Sequence, residues 1–168
     1  MSRARLVLAL AAVVVALVLA GREAVAPDAP TGAGRVVRVV DGDTIQVDVD
    51  GRREKVRYIG VDTPESVKPG TPVQCYAKPA SHFNERLVEG KRVRLRYGPE
   101  RYDRYGRLLA YVFLTGPGHT FVNALLVRRG YARTLAIAPN TQRADLFNRL
   151  EQRAQRRGLG LWSACPGD

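Results

Sequence analysis

Residues 39–51 read VVDGDTIQVDVDG, and they contain the clearest structural pattern in the chain. From Thr44 to Val49 apolar and polar side chains alternate, with Ile45 and Val47 on the apolar face, which is typical of a strand with one buried side. Asp50-Gly51 follows, and this dipeptide favours a tight hairpin turn. We therefore predict a hairpin in which the strand over residues 44–49 pairs with a strand over residues 54–61.

Similar patterns extend from this hairpin in both directions. The further strands are predicted at residues 35–40, 91–97 and 108–113, and the helices at residues 78–89, 121–129 and 145–157. Short strands at regular spacing, separated by turn residues, are typical of small closed barrels. The sequence therefore predicts an α+β fold, a five-stranded OB-type β-barrel with three α-helices.

The composition favours a single domain with a polyanionic partner. The chain has 168 residues and a formal net charge of +11, and a chain of this length commonly forms one domain. A positive charge of this size attracts nucleic acid, anionic lipid or an acidic wall polymer. Charge alone leaves the choice among these three open.

The N-terminus has the pattern of an export signal. Arg3 and Arg5 precede an unbroken apolar run over residues 6–20, which is shorter than the ~20 residues that span a bilayer. We expect residues 1–20 to be a cleaved signal peptide, with an uncleaved signal anchor as the alternative. Residues 21–33 are predicted to be a flexible spacer and residues 34–168 the folded domain. The protein would then be secreted or held in the cell envelope, touching the membrane only if uncleaved.

The chain has two cysteines, Cys75 and Cys165. An even number of cysteines in an exported protein favours a disulfide. We predict that these two form a bridge, and two free thiols are the alternative.

Four acidic residues are predicted to meet at one end of the barrel. Asp41 and Asp43 lie between the first two strands, and Asp62 and Glu65 follow the third. Because the hairpin turn at Asp50-Gly51 reverses the chain at the opposite end, the third strand returns to the acids of the first. Clustered carboxylates repel one another unless a cation is bound, and oxygen ligands favour Ca²⁺ or Mg²⁺ over Zn²⁺.

Two arginines accompany these acids. In strand phase, Arg57 shares a face with Ile59 and Val61, so it is either half of a structural ion pair or a clamp for phosphate. Arg107 follows a charged turn, where it is either a solvated charge or a second phosphate ligand. A guanidinium suits phosphate because its planar fork can donate two hydrogen bonds at once.

Taken together, these segments resemble the staphylococcal nuclease family in order and spacing. The resemblance covers roughly residues 34–163 and rests on VDGDT at 40–44, RYIGVDTPE at 57–65, DRYGRLLAY at 103–111, VNALLVRRG at 122–130 and LWS at 161–163. It implies an OB-type barrel with three helices, in agreement with the prediction above. It also identifies residues 34–168 as a nuclease domain that binds one Ca²⁺ ion and hydrolyses DNA and RNA with little sequence preference.

The resemblance assigns the metal ligands to three positions. Asp43 and Asp62 match carboxylate ligands, and Thr63 matches a residue whose backbone carbonyl is a third ligand. Asp41 matches an acid beside these ligands that does not bind the ion itself.

The remaining assignments concern the substrate. Glu65 matches the residue that activates or orients the attacking water, and Arg57 and Arg107 match the two arginines that hold the scissile phosphate. Arg104 and Tyr105 match residues beside the bound nucleotide.

One stretch departs from the family's best-known member. That member has two tyrosines that pack around the nucleotide base, and the ungapped positions here are Ala136 and Ala138. We expect base packing to be weaker or to come from other side chains.

The function predicted from the sequence is thus an exported, monomeric, Ca²⁺-dependent endonuclease acting on DNA and RNA. The alternative is a non-catalytic nucleic-acid-binding OB-type module of the cell envelope, for which basic charge and a barrel would suffice. That alternative does not explain the acidic cluster, since acids at the barrel mouth would weaken nucleic-acid binding without a metal.

Overall fold

The structure is a computed structural model, and it describes residues 31–66, 70 and 72–165. The predicted signal segment, residues 1–20, lies outside the described residues, as does most of the predicted spacer. Across the described ranges, no helix has the length and apolar character needed to cross a membrane.

Five strands close into a barrel, as predicted. The strands of the chain are β1 (Thr31–Asp41), β2 (Thr44–Val49), β3 (Arg52–Tyr58), β4 (Gly60–Asp62), β5 (Arg92–Tyr102), β6 (Leu108–Leu114) and β7 (Arg133–Leu135). The barrel order is β1-β2-β3-β6-β5, with β3 and β6 parallel and the other neighbouring strands antiparallel. β4 and β7 form a separate two-stranded sheet.

Helices follow where the sequence predicts them. They are α1 (Ala77–Val88), α2 (Val122–Arg128), α3 (Ala144–Arg156) and a single turn, α4 (Leu161–Ala164). The three longer helices confirm the prediction. The short strand β7 and helix α4 were not predicted, because three or four residues are too few to show a period.

Alternation along the strands fills the barrel. Ile45 and Val47 from β2 are fully buried, as are Val93 and Leu95 from β5. The hairpin turn between β2 and β3 forms at Asp50-Gly51, where both residues have positive φ, as a primed two-residue turn requires.

The third strand differs from the prediction. It was expected to continue from Glu54 to Val61, but the chain leaves the barrel after Tyr58 and pairs with β7 instead. The break occurs at Gly60, which has a φ of 80° and whose Cα lies against the Phe147 ring, where a Cβ would come within 2.3 Å of the ring. Arg57 therefore does not share a strand face with Ile59 and Val61.

Two other strands are longer than predicted. β1 begins at Thr31, so residues 31–33, assigned to the spacer, pair with β5. Gly32 permits this approach, because a Cβ there would overlap the Tyr97 hydroxyl. β5 continues past Tyr97 to Tyr102 through an irregular register, so the charged turn before Arg107 is confined to residues 103–106.

The predicted disulfide is present. Cys75, just before α1, is bonded to Cys165, which follows α4. The bridge joins residues 90 apart in sequence and ties the end of the described chain to the segment that enters α1.

Candidate active site

One end of the barrel carries a cleft of about 420 Å³ that brings together the acids and both arginines singled out from the sequence. The four acids thus meet at one end of the barrel, as the hairpin topology predicts. The lining residues are Val40, Asp41, Asp43, Thr44, Lys55, Arg57, Asp62, Thr63, Glu65 and Arg107.

Asp43 is the most buried acid in the cleft, with 5% of its surface exposed. Its Oδ2 accepts hydrogen bonds from the Thr63 amide (2.8 Å) and the Thr63 hydroxyl (2.9 Å), and its Oδ1 accepts from the Thr44 hydroxyl. Burial raises the pKa of the Asp43 carboxyl, although Arg57 and the Thr63 hydrogen bonds oppose that shift. The site therefore holds a carboxylate for which a nearby cation would be strongly favourable.

Arg57 is the cation that the protein itself places there. Its Nε lies 3.2 Å from Asp43 Oδ1, and its Nη2 lies 2.8 Å from Asp62 Oδ1. Its Nη1 donates to the carbonyls of Tyr58 (2.8 Å) and Val61 (2.6 Å). Those carbonyls flank the break after β3, so Arg57 both bridges the two acids and stabilises the bend that positions Asp62.

Arg107 is oriented by a single acid. Asp103 Oδ2 accepts from Arg107 Nε at 2.7 Å, and Asp103 Oδ1 accepts from the amides of Tyr105 and Arg107 at 2.9 Å. Partial burial opposes ionisation of Asp103, but these hydrogen bonds outweigh it and lower the pKa of its carboxyl below 3.8. Asp103 thus remains charged and holds Arg107 at the cleft through a wide pH range.

Asp41 links three parts of the chain. Its Oδ1 accepts from the Gly42 amide (2.7 Å), from Ser66 Oγ in the loop after Glu65 (2.7 Å), and from Ser81 Oγ on α1 (3.0 Å). Asp41 therefore holds this loop against α1, a role that depends on hydrogen bonding and needs no metal.

The donor chemistry of the cleft fits a hard divalent cation. Within the described ranges, no group of three or more His, Cys, Asp or Glu residues is already arranged as a metal site. Asp43, Asp62 and Thr63 nonetheless offer only oxygen donors, which are the ligands that Ca²⁺ and Mg²⁺ prefer. The two carboxylates both contact the Arg57 guanidinium in this structure.

A second cavity, of about 470 Å³, adjoins the cleft and shares Arg57 and Arg107 with it. Arg104 and Tyr105 line this cavity, where Arg104 Nη2 donates to the Tyr105 hydroxyl at 2.8 Å. The Tyr105 side chain is largely exposed. These two residues therefore lie beside the arginines of the cleft, on the side away from Asp43.

The apolar wall of this cavity comes from residues that the sequence analysis missed. Leu135 and Ile137 line it and are 38% and 59% exposed. Ala136 and Ala138 are not among its lining residues. The alternation of large and small apolar residues over 135–138 was the available signal, since alternate residues of an extended chain share one face.

Other contributing residues were also missed. Ser66 and Ser81 act through Asp41, and only the folded structure brings them within reach. Asp103 was detectable in principle, because an Asp four residues before an Arg in a tight turn can accept from its backbone and side chain. The two histidines, His82 on α1 and His119 in a turn, do not line either cavity.

Comparison with known proteins gives consistent matches. The family model described as staphylococcal nuclease homologue matches residues 55–164. A thermonuclease of Staphylococcus intermedius is 48% identical over 127 residues, which are 76% of this chain and 74% of that protein. A thermonuclease of Staphylococcus hyicus is 46% identical over 129 residues (77% and 75%). Endonuclease YncB of Bacillus subtilis is 42% identical over 128 residues (75% and 59%).

Proposed function

This chain belongs to the staphylococcal nuclease family, and we propose that it is an exported, Ca²⁺-dependent endonuclease. Its substrates are the phosphodiester bonds of DNA and RNA, cut with low sequence specificity. The observation that carries the proposal is the cleft in which Arg57 and Arg107 lie with Asp43, Asp62 and Glu65. Nucleases named among the relatives support the same activity.

Arg57 and Arg107 bind the scissile phosphate. Hydrolysis passes through a five-coordinate phosphorus with extra negative charge on its oxygens, and fixed guanidinium donors stabilise that charge more than they stabilise the substrate. Arg57 suits this role because carbonyls and carboxylates hold it rigidly, and Arg107 because Asp103 orients it.

Glu65 orients the water that attacks phosphorus and accepts a proton from it. A carboxylate can serve as a general base when it lies within hydrogen-bond reach of the water. Glu65 lines the same cleft as both arginines, and the loop that carries it is tied to Asp41 through Ser66.

Asp43, Asp62 and the Thr63 carbonyl would hold the Ca²⁺ ion. When bound, such an ion neutralises a phosphate oxygen and helps to position water. The Asp43 carboxylate is buried and poorly solvated, so its charged form gains from a nearby cation.

Arg104 and Tyr105 bind the nucleotide next to the scissile bond. They lie in the adjoining cavity with the apolar side chains of Leu135 and Ile137. Aliphatic contacts are indifferent to the hydrogen-bonding edge of a base, so this wall supports binding without sequence preference.

The proposal that the protein is exported depends on residues 1–20, and its test does not involve the active site. Cleavage after the apolar run would give a secreted protein whose N-terminus lies near Gly21, and mass spectrometry of the culture medium would detect it. Recovery of the intact chain in the membrane fraction would instead support an uncleaved anchor.

The variant Glu65→Gln tests the assignment of Glu65 as the general base. It should bind single-stranded DNA with unchanged affinity but cut it at least about 10²-fold more slowly, within the range that general-base catalysis contributes. The matched control is Glu85→Gln, at an exposed glutamate on α1 outside the cleft, which should cut normally. Equal turnover by Glu65→Gln and the wild type would remove Glu65 from the mechanism.

A further inference from the structure

The segment that carries Glu65 is closed by a reciprocal pair of hydrogen bonds. The Gln74 amide donates to the Glu65 carbonyl at 3.0 Å, and the Glu65 amide donates to Gln74 Oε1 at 2.7 Å. Both polar groups of the Glu65 backbone thus bind one residue nine positions later. The Gln74 side chain fixes the backbone from which the Glu65 carboxylate extends.

Gln74 is itself held on its C-terminal side. Its carbonyl accepts from the Ala77 amide at 3.1 Å, which joins it to the first turn of α1. The next residue, Cys75, is bonded to Cys165, directly after α4. The disulfide and the start of α1 therefore restrain the Gln74 backbone from its C-terminal side.

The disulfide leads to a rigid part of the molecule. Leu161, in α4, is 1% exposed, and its amide donates to the Gly130 carbonyl at 2.9 Å. A Cβ at Gly130 would overlap the Leu159 carbonyl, so the two backbones are in close contact. A continuous series of contacts therefore runs from this packed region through Cys165 and Cys75 to Gln74, and from Gln74 to Glu65.

We propose that Gln74 is a positioning residue for Glu65, and that the Cys75–Cys165 disulfide holds Gln74 in place for that purpose. The inference rests on the proposed function, because it takes Glu65 to be the group that orients the attacking water. A misplacement of about 1 Å in a catalytic group can cost about 10²-fold in rate. The disulfide thus contributes to turnover as well as to stability.

The role of Gln74 differs from that of Ser66. Ser66 binds Asp41 with its side chain and restrains the chain after Glu65, whereas Gln74 binds the Glu65 backbone directly. Loss of the Gln74 side chain leaves the Ser66 contact available, so the loop should stay attached while the orientation of Glu65 becomes less defined. That difference predicts a loss in kcat with little change in KM.

The test uses the full chain and three variants. Gln74→Met keeps the approximate shape but removes the acceptor, Gln74→Glu restores an acceptor, and Cys75→Ser/Cys165→Ser removes the bridge. The matched control is Gln152→Met, at an exposed glutamine on α3. For each protein, kcat and KM are measured on single-stranded DNA with Ca²⁺, and the melting temperature is measured to establish folding.

We expect Gln74→Met to lower kcat by about tenfold with KM nearly unchanged, as for a group displaced by less than 1 Å. Gln74→Glu should recover most of that loss, and Gln152→Met should match the wild type. The bridge variant should lower kcat at a temperature where it remains folded. If the bridge variant does not fold, Gln74→Met still tests whether Gln74 positions Glu65.

A second measurement separates positioning from general weakening of the fold. Gln74→Met is combined with Glu65→Gln, and the residual rate is compared with that of Glu65→Gln alone. Equal residual rates would support positioning through Glu65, whereas a further tenfold fall would overturn it. Unchanged kcat in Gln74→Met, with a wild type that cuts DNA, would also overturn this inference while leaving the nuclease intact. A wild type that cuts nothing would overturn the proposed function itself.

Discussion

Arg57 and Arg107 are held in different ways, although both border the same cleft. The Arg57 side chain is 12% exposed and contacts two carbonyls and two carboxylates. The Arg107 side chain is 31% exposed, and its ion pair is with Asp103. Replacing Arg57 therefore disturbs both fold and chemistry, whereas replacing Arg107 should disturb mainly the chemistry.

Arg107→Lys should lower kcat by about 10²-fold or more, by analogy with loss of a donor to a developing anion. A lysine retains the charge but cannot reproduce the planar fork. The melting temperature should stay close to that of the wild type, because the site is partly exposed. Single-turnover cleavage and thermal denaturation of the same preparation check both parts, and an unimpaired rate would exclude Arg107 from phosphate binding.

Asp103→Asn should weaken the orientation of Arg107. It should also remove the pH-dependent contribution of the Asp103 carboxylate to the free energy of unfolding. The pKa of the Asp103 carboxyl lies below its ordinary 3.8 in the folded protein. Its contribution to the free energy of unfolding is therefore complete above that ordinary value and is lost as pH falls through the lower, folded value.

Thermal melts of wild type and Asp103→Asn at several pH values measure this contribution. The difference in melting temperature should be constant from neutral pH to about pH 5 and should narrow below about pH 4, where carboxylates protonate. A difference that widens on acidification would contradict the direction of the pKa shift.

At the scale of secondary structure, the position of Asp62 depends on the break between β3 and β4. Gly60 adopts a φ of 80° there and lies against Phe147, which is 1% exposed. A side chain at this position would be strained in its backbone and would overlap a ring that the packed core cannot easily move.

Gly60→Ala should therefore lower the free energy of unfolding by about 2 kcal/mol or more, combining a positive-φ penalty with overpacking. The matched control is Gly116→Ala, since a Cβ at Gly116 would have no atom within 4 Å and its φ is not positive. Urea denaturation of the two variants provides the comparison. Equal stabilities would show that the bend does not require glycine.

The break at Gly60 also explains why the sequence predicts a third strand that is too long. Alternation correctly predicted β2 to the residue, because one side of that strand is buried in the barrel. It extended the third strand too far, because Ile59 and Val61 are apolar and continue the pattern. Val61 instead pairs with Thr134 of β7 outside the barrel, and Gly60 packs against Phe147, a contact that alternation along the chain does not reveal.

The candidate site was predictable to a similar extent. Hairpin topology alone brings Asp41, Asp43, Asp62 and Glu65 to one end, so their convergence follows from the sequence. The side chains that orient them come from segments distant in sequence, such as Ser81 on α1 and Gln74 after the loop. No local pattern indicates which polar residue of a helix or loop will meet a given acid.

At the scale of the whole molecule, the positive charge suits a protein whose partner is a polyanion. The net charge of +11 favours association with phosphate backbones, and four of the 16 acidic residues line the cleft. The disulfide, across 90 residues, restrains the unfolded chain and is stable only where thiols are oxidised.

We propose that phosphodiester cleavage depends on a metal ion held by the acids of the cleft. The most direct test is digestion of single-stranded DNA, duplex DNA and RNA by the purified protein, first with Ca²⁺ and then with a Ca²⁺ chelator, alongside Asp43→Ala. Cleavage that requires Ca²⁺ in the wild type and is absent from Asp43→Ala is the predicted result. Binding of nucleic acid without cleavage, under Ca²⁺ or any other divalent ion, would contradict the account and identify the protein as a binding module.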